Sequence, residues 1–485
     1  MKAIVYLLCL TAAPVFSASA EPERFEAKLE NVDVTPGQFA AELVFALPDA
    51  GREAIAYAGM TVPLKLAGYP FLQLQVAGDD GTEVAVAGTT PNAGHGVATF
   101  SLTDVFNQRQ PRGALKFRIT QAPGSPGTVE ADPKSRAVLR LVAGSAPGQD
   151  LEKLLAPVWA SDQVVDEPIL PVARAGGAAE TTLLFEPDGD VVVRDGALGR
   201  TYQPGVDYEI EGRKLKLLPG SSIPFLTEAE LQPSGKGPGV VETHDGGFLL
   251  GAEVLDKQSV VSYRRAAPWD GPVPPASVGK LAATKRKLAA GEPLKIVLLG
   301  DSISFGAAAS RSKPPYLPGW GELLVRGLRA RTSSPVTLVN PSRGGGNSAW
   351  GLKMLDSVVV PEKPDLCLIA FGMNDANGTS AENFRANIKR MIDEVAAANP
   401  DTEFVLVAPM PRNEKWRPLQ PMDGYADALK SLESDKIAVA DVWSVARHLR
   451  RDKGAHELTD NINHPNDFVV RVYAQVVLAL LGFGS

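Results

Sequence analysis

The first residue whose setting suggests chemistry is a serine that comes directly after an apolar run. Residues 294–299 are almost continuously apolar, and Gly300-Asp301-Ser302-Ile303-Ser304 follows them. A serine at a strand-to-helix turn exposes its hydroxyl at the edge of a sheet. Its oxygen can attack an ester carbonyl once a base takes its proton. A Gly-Asp-Ser tripeptide is also an ordinary turn, so this motif alone leaves both readings open. Further on, Gly344-Gly345-Gly346-Asn347-Ser348 lies beyond the apolar run 336–339. Glycines let backbone come close to a ligand, and an N–H aimed at it can hold the negative oxygen of a tetrahedral intermediate. Read alone, a triple glycine is a flexible turn. Gly372-Met373-Asn374-Asp375 follows the apolar run 366–371. Asn374 can give that oxygen a second donor, although an Asn-Asp pair there also suits a turn or helix cap. The last block is Asp460-Asn461-Ile462-Asn463-His464-Pro465-Asn466-Asp467. His464, one of five histidines, has acids on both sides and sits in a loop, which suits a general base with an orienting carboxylate.

These blocks need a scaffold that brings them together. Beyond residue 290 the pattern alternates. Strands are expected at 294–299, 336–339, 366–370, 404–407 and 437–439, and helices at 320–329, 425–432 and 468–481, the last stopped by Gly482. Ser380 can cap another helix, with Phe384, Ile388, Met391, Ile392 and Val395 on one face. Strands alternating with helices give a parallel sheet covered on both faces. Sites in such sheets lie at the carboxyl ends of the strands, where the first three blocks fall. Cys367, inside an apolar run, reads as a core residue.

Upstream the chain reads differently. Short β-like runs at 39–47, 71–76, 114–119, 137–142, 182–185, 191–193, 208–210 and 214–218 alternate with Gly, Pro and Asp. That spacing predicts an all-β, sandwich-like region. The whole is multidomain: residues 1–20 as a signal peptide, 21–147 and 148–275 as two β-rich domains, 276–293 as a linker, and 294–485 as the catalytic domain.

The four blocks occur in order, and together they resemble the SGNH or GDSL hydrolases, a family of serine esterases. The resemblance covers residues 294–485. It implies an α/β flavodoxin-like domain that hydrolyses carboxylic esters with no metal or organic cofactor. By position, Ser302 is the nucleophile and, through its own N–H, an oxyanion donor. Gly345 or Gly346 gives a second donor, Asn374 the side-chain donor, and His464 the base. The family usually has its acid three residues before the histidine, where this chain has Asn461. Asp460 is one residue further away. Either Asp460 reaches His464 around a bulge, or the site is a Ser–His dyad; Asp467 is expected to cap the last helix. Upstream, residues 204–208, 220–225 and 260–269 resemble the β-domains of secreted bacterial members linked to deacetylation of plant or algal polysaccharides.

Composition narrows the function. With 49 Lys and Arg against 56 Asp and Glu the formal charge is −7, and no dense basic run marks a nucleic-acid surface. Lys2, the apolar stretch 3–16 and the small residues Ser17-Ala18-Ser19-Ala20 have the form of a secretory signal. Its apolar part is too short to span a bilayer, and Leu8 before Cys9 argues against a lipoprotein. Cleavage would leave Cys367 as the sole cysteine, without an internal disulfide. A secreted or periplasmic esterase acting on acetylated poly- or oligosaccharide is the expected function. Trp350, Tyr316 and Arg412 are candidate substrate contacts, with Trp320, Trp416 and Asn413 nearby in sequence; Trp320 and Trp350 also suit the core. A lipase, thioesterase or arylesterase is the alternative, and a glycan-binding protein with an inactive esterase domain is a third.

Overall fold

Leu294–Gly300 is the strand around which the catalytic region is arranged. Only Lys295 escapes full burial, as in a strand covered on both faces. The computed structural model describes residues 22–484 apart from 36–37, 49–53, 78–82, 92–95, 110, 112, 133 and 145–149, so the signal-like segment lies outside the described residues. It places this strand second in a five-stranded sheet, in the order Val336–Val339, Leu294–Gly300, Leu366–Ala370, Glu403–Ala408 and Ile437–Asp441. All four pairings are parallel. The chain steps to one side of its first strand and then returns to the other, which opens a crevice at the carboxyl ends between them. Cys367 is buried in this sheet, and burial pushes its thiol up to about 12, so it is not a nucleophile at neutral pH.

The covering helices follow the pattern of the sequence. Ser380 Oγ accepts the Asn383 N–H and caps Ala381–Ala398, whose buried face is Phe384, Ile388, Met391, Ile392 and Val395. Helix Trp320–Arg331 begins on a fully buried tryptophan. In the last helix, Asp467–Leu480, every residue from Phe468 onward is buried. A helix buried all round needs cover on its outer side, and the middle region supplies it. Arg471 donates to the carbonyls of Val165 and Asp166, and Gln475 to those of Leu154 and Ala156.

The N-terminal region is an eight-stranded arrangement centred on the long strand Glu23–Thr35. Its first half pairs with Arg136–Ala143 and its second with Gln38–Ala46, with an irregularity between Glu30 and Asp33. Alternation along Gln38–Ala46 buries Phe39, Ala41, Leu43 and Phe45 in a separate core. The middle region holds a three-stranded sheet, Gln163–Ile169, Ser259–Arg265 and Pro187–Asp195, and a small five-stranded one. The hairpin expected near residue 212 is present, with Glu211 opposite Lys214 and Gly212 left-handed. The strand expected at 182–185 ends instead at Thr182. Beyond it, Leu184 N–H donates to Glu167 Oε1 and Phe185 N–H to the Tyr263 hydroxyl, so side chains take the bonds that a ladder would need.

Within residues 276–293 the basic, helix-favouring stretch is helical. Helix Ala282–Ala290 packs Thr284 and Leu288 inward. Its first free N–H groups, on Ala283 and Thr284, donate to the carboxylate of Glu403 at the start of a sheet strand. The apolar core is also continuous from the middle region into the catalytic one.

That shared core contains an ion cluster. Lys453 Nζ lies 2.8 Å from Glu167 and 3.2 Å from Glu457, all three buried. Tyr263 and Thr181 donate to the two carboxylates. Lys453→Met removes the cation and leaves two buried acids facing each other. Breaking such a cluster should cost about 3–5 kcal/mol in denaturant unfolding, and a loss below about 1 kcal/mol would show that the cluster is not coupled to the fold.

Candidate active site

The nucleophile turn is built by close approach. Gly300 ends the first strand, and a Cβ there would lie 2.6 Å from the Ala370 carbonyl oxygen, so no side chain fits. Asp301 then caps the one-turn helix Ser302–Phe305 through the Ile303 N–H at 2.9 Å. This holds Ser302, only 8% exposed, at the carboxyl edge of the sheet. Its Oγ is 2.9 Å from His464 Nε2.

His464 comes from the loop before the last helix. Asp460 Oδ2 lies 2.7 Å from His464 Nδ1. The other oxygen, Oδ1, accepts the backbone N–H groups of Ile462, Asn463 and His464 at 2.8–3.0 Å. Asp460 N–H donates back to the His464 carbonyl, and Thr459 bridges to Pro465. The loop closes because Asn461 is left-handed, with φ 64°. Asparagine tolerates that region better than most residues. Of the two arrangements left open by the sequence, the carboxylate rather than a backbone carbonyl faces Nδ1.

Charge fixes the direction of the hydrogen bonds. Burial alone would lift Asp460, but the His464 bond and charge and the backbone donors hold it below the usual carboxylate range. Burial alone would lower His464, yet the bond and charge of Asp460, with Asp301 adding to them, hold it above its usual value. An ionised carboxylate only accepts, so Nδ1 carries the proton. The Nε2 lone pair then faces the Ser302 hydroxyl.

The donor side is made by the other two blocks. Gly345 is left-handed, with φ 73°, and turns the loop back. The Gly346 N–H donates to the Arg343 carbonyl, so between the two glycines only Gly345 keeps its N–H out of that turn. Asn374 Nδ2 donates to the Gly346 carbonyl at 2.8 Å, which aims its amide along the same loop and leaves its second hydrogen for another acceptor. Behind them Asp375 accepts both the backbone N–H and the hydroxyl of Ser348, and Asn387 donates to that hydroxyl. This tie between the glycine and asparagine blocks had no separate signal in the sequence.

The proposed substrate contacts fare differently. Trp350, 9% exposed, packs edge-on to Phe371 beneath Gly346 and belongs to the core. Trp320 is likewise core. Tyr316 stacks on Tyr57 of the N-terminal region, ring centroids 5.6 Å apart. Arg412 is 3% exposed, and its guanidinium is taken by Asn377 Oδ1 and the carbonyls of Ala376 and Pro418. None of these three candidates offers a free polar or aromatic face as expected. Asn413 instead braces the histidine loop, through Ile462 O and Asn461. The helix cap is Asn466, whose side chain accepts the Val469 N–H. Asp467 lies one residue inside the helix and accepts the Ser310 N–H. A residue missed in the sequence is Tyr69, 39% exposed, with the Arg343 guanidinium 3.6 Å from its ring centre. Arg343 N–H bonds the Gly300 carbonyl, two residues from Ser302. Among the described residues, no group of three or more His, Cys, Asp or Glu side chains is arranged to hold a metal ion, and no helix is long and apolar enough to cross a membrane.

The C-terminal region resembles known proteins. Residues 298–469 match the family model described as GDSL-like lipase/acylhydrolase. Esterase TesA of Pseudomonas aeruginosa is 32% identical over 103 residues, 21% of this chain. The chain spans about half (48%) of that relative's length. Among solved structures, an acetylxylan esterase of Geobacillus stearothermophilus, Axe2, aligns with TM-score 0.34 and 18% identity over 39% of this chain and 94% of its own. LAE5, an alpha/beta hydrolase from the metagenome of Lake Arreo in Spain, aligns with TM-score 0.35 and 21% identity over 40% of this chain and 96% of its own.

The site makes a prediction about proton affinity. In Asp460→Asn the burial of His464 acts without its carboxylate, so the imidazole should titrate below the wild-type value. NMR titration of labelled histidine checks this, and an unmoved pKa would show that Asp460 does not control the base.

Proposed function

We propose that the protein is a secreted or periplasmic serine esterase removing acetyl or similarly small acyl groups from carbohydrate, a reading supported by the match of residues 298–469 to the GDSL-like lipase/acylhydrolase family model. The observation that carries the esterase reading is the unbroken line from Asp460 through His464 to Ser302, at 2.7 and 2.9 Å. In this reading Ser302 Oγ attacks the ester carbonyl while His464 Nε2 takes its proton. Asp460 stabilises the imidazolium. The N–H groups of Ser302 and Gly345 and the amide of Asn374 hold the oxyanion. His464 then protonates the departing sugar oxygen, leaving acyl-Ser302. A water molecule, deprotonated by the same imidazole, releases the acid and restores the serine.

The carbohydrate part rests on different support. The first twenty residues have the form of a secretory signal, and polysaccharides lie outside the cell. Two β-rich regions accompany the catalytic one. The exposed Tyr69 ring, beside the nucleophile turn through Arg343, is suited to stack on a sugar. The same reading takes the 2-1-3-4-5 parallel sheet as flavodoxin-like and the N-terminal strands as a sandwich.

Ser302→Ala should abolish turnover and keep the fold, checked by hydrolysis of a simple acetyl ester alongside circular dichroism; retained activity would end the serine-esterase reading. Asn374→Ala should lower kcat by roughly 10²–10³ with little change in KM, and a raised KM at constant kcat would make Asn374 a binding residue. Acetate release from acetylated glycans should exceed cleavage of long-chain acyl esters. A clear preference for long chains would favour a lipase.

A further inference from the structure

The loop that carries His464 is held from outside its own domain. Gln258, buried in the middle region, donates through Nε2 to the carbonyls of His456 at 2.7 Å and Thr459 at 3.2 Å. Its Oε1 accepts Asn466 Nδ2 at 2.9 Å. Asn466 spends its other amide hydrogen on the Glu457 carbonyl and its oxygen on the Val469 N–H. The carboxamide of Gln258 cannot be turned over, because its oxygen would then face two carbonyl oxygens. Thr459 and Asn466 are the two ends of the loop, so a single side chain staples its mouth.

A second tie meets the loop at its tip. Asn461 Nδ2 donates to the Leu250 carbonyl at 2.7 Å, at the end of the hairpin strand Phe248–Leu250. The backbone and side-chain oxygens of Asn461 accept from Asn413, whose own N–H bonds Ile462 O. The segment after Asn413 is pinned in turn, since His244 N–H donates to the Trp416 carbonyl. Position 461 is where the family pattern puts the acid. Here its left-handed backbone turns the side chain toward the middle region, while Asp460 turns to the imidazole.

We infer that the middle β-rich region is a working part of the acyl-transfer site, with Gln258 and Asn461 as positioning residues that set the orientation of His464 by tying its loop to residues 250–258. The inference rests on the esterase reading above. It accounts for the shifted acid, because a loop anchored at position 461 needs its carboxylate one residue earlier. It also accounts for the shared core, because a staple orients only if both of its ends are rigid. The charged groups acting on His464 are Asp460, on its own loop, and Asp301, on the nucleophile turn.

The test uses the full chain and two variants. Gln258→Met keeps the volume and loses the three hydrogen bonds. Asn461→Gly keeps the left-handed backbone and loses the tie to Leu250. With p-nitrophenyl acetate, whose alcohol part makes few contacts, each should lower kcat about tenfold or more and leave KM within about twofold, as misplacement of a reacting group does. The acidic limb of the kcat profile should move to lower pH, since a looser Asp460 contact supports the imidazolium less. Loss of buried hydrogen bonds should lower the melting midpoint of Gln258→Met, so kcat and its pH profile are read well below the midpoints. Unchanged kcat and pH profiles in both variants would overturn the inference. So would a kcat loss that only follows a lower melting midpoint and leaves the acidic limb in place, which marks a structural role. A wild-type protein inactive on every ester would instead overturn the esterase reading, and the inference with it.

Discussion

Asp460 does two jobs with one carboxylate. Oδ1 gathers three consecutive backbone N–H groups and so folds the loop, while Oδ2 orients the imidazole. A buried carboxylate without such partners would cost several kcal/mol or take up a proton. The same bonds that make the ionised form tolerable therefore fix where His464 points. Loop conformation and base orientation are a single constraint in this protein. The left-handed Asn461, the Thr459–Pro465 bridge and the buried Gln258 are what that constraint requires of its surroundings.

The two β-rich regions press on opposite halves of the apparatus. On the oxyanion side, the N-terminal region donates from Thr90 to the Pro341 carbonyl and lays Tyr69 against Arg343, just before the glycine turn. On the base side, the middle region covers the last helix and staples the loop that precedes it. The parallel sheet fixes only where its strands end. Angles at the nucleophile and base are set by loops, and loops hold position when their polar groups are spent on rigid neighbours.

Much of this could be read from the sequence, because chemistry and periodicity leave local traces. The buried strands at 294–299 and 366–370, the Ser380 cap and its five-residue face all depend on neighbours a few residues apart. The same holds for the block containing His464. What could not be read depends on partners far along the chain. Arg412 looks like a pocket residue until Ala376 and Pro418 take its guanidinium. The stretch 282–290 reads as helix-favouring, but its docking does not, because the carboxylate that caps its helix, Glu403, is more than a hundred residues away. Trp350 has the same composition signal as a sugar platform, and only the position of Phe371 and Gly346 makes it core. Gln258 left no trace at all, since a glutamine before a strand is an ordinary surface residue until its partners are known.

Three acids lie close to this chemistry, and their surroundings separate them. Burial pushes Asp301 up to about 7 and raises Asp375, although Asp301 accepts hydrogen bonds from its own turn and Asp375 from Ser348. Asp460 alone is held down. Near neutral pH the carboxylate bonded to His464 is thus ionised, while burial shifts the acid beside Ser302 toward its neutral form. This separation keeps the negative charge on the side of the imidazole away from the serine, where it stabilises the imidazolium without repelling the oxyanion. The motif's aspartate, read in the sequence only as part of a turn, is thus set apart from Asp460 by what surrounds it: Asp301 caps the one-turn helix while Asp460 bonds the imidazole.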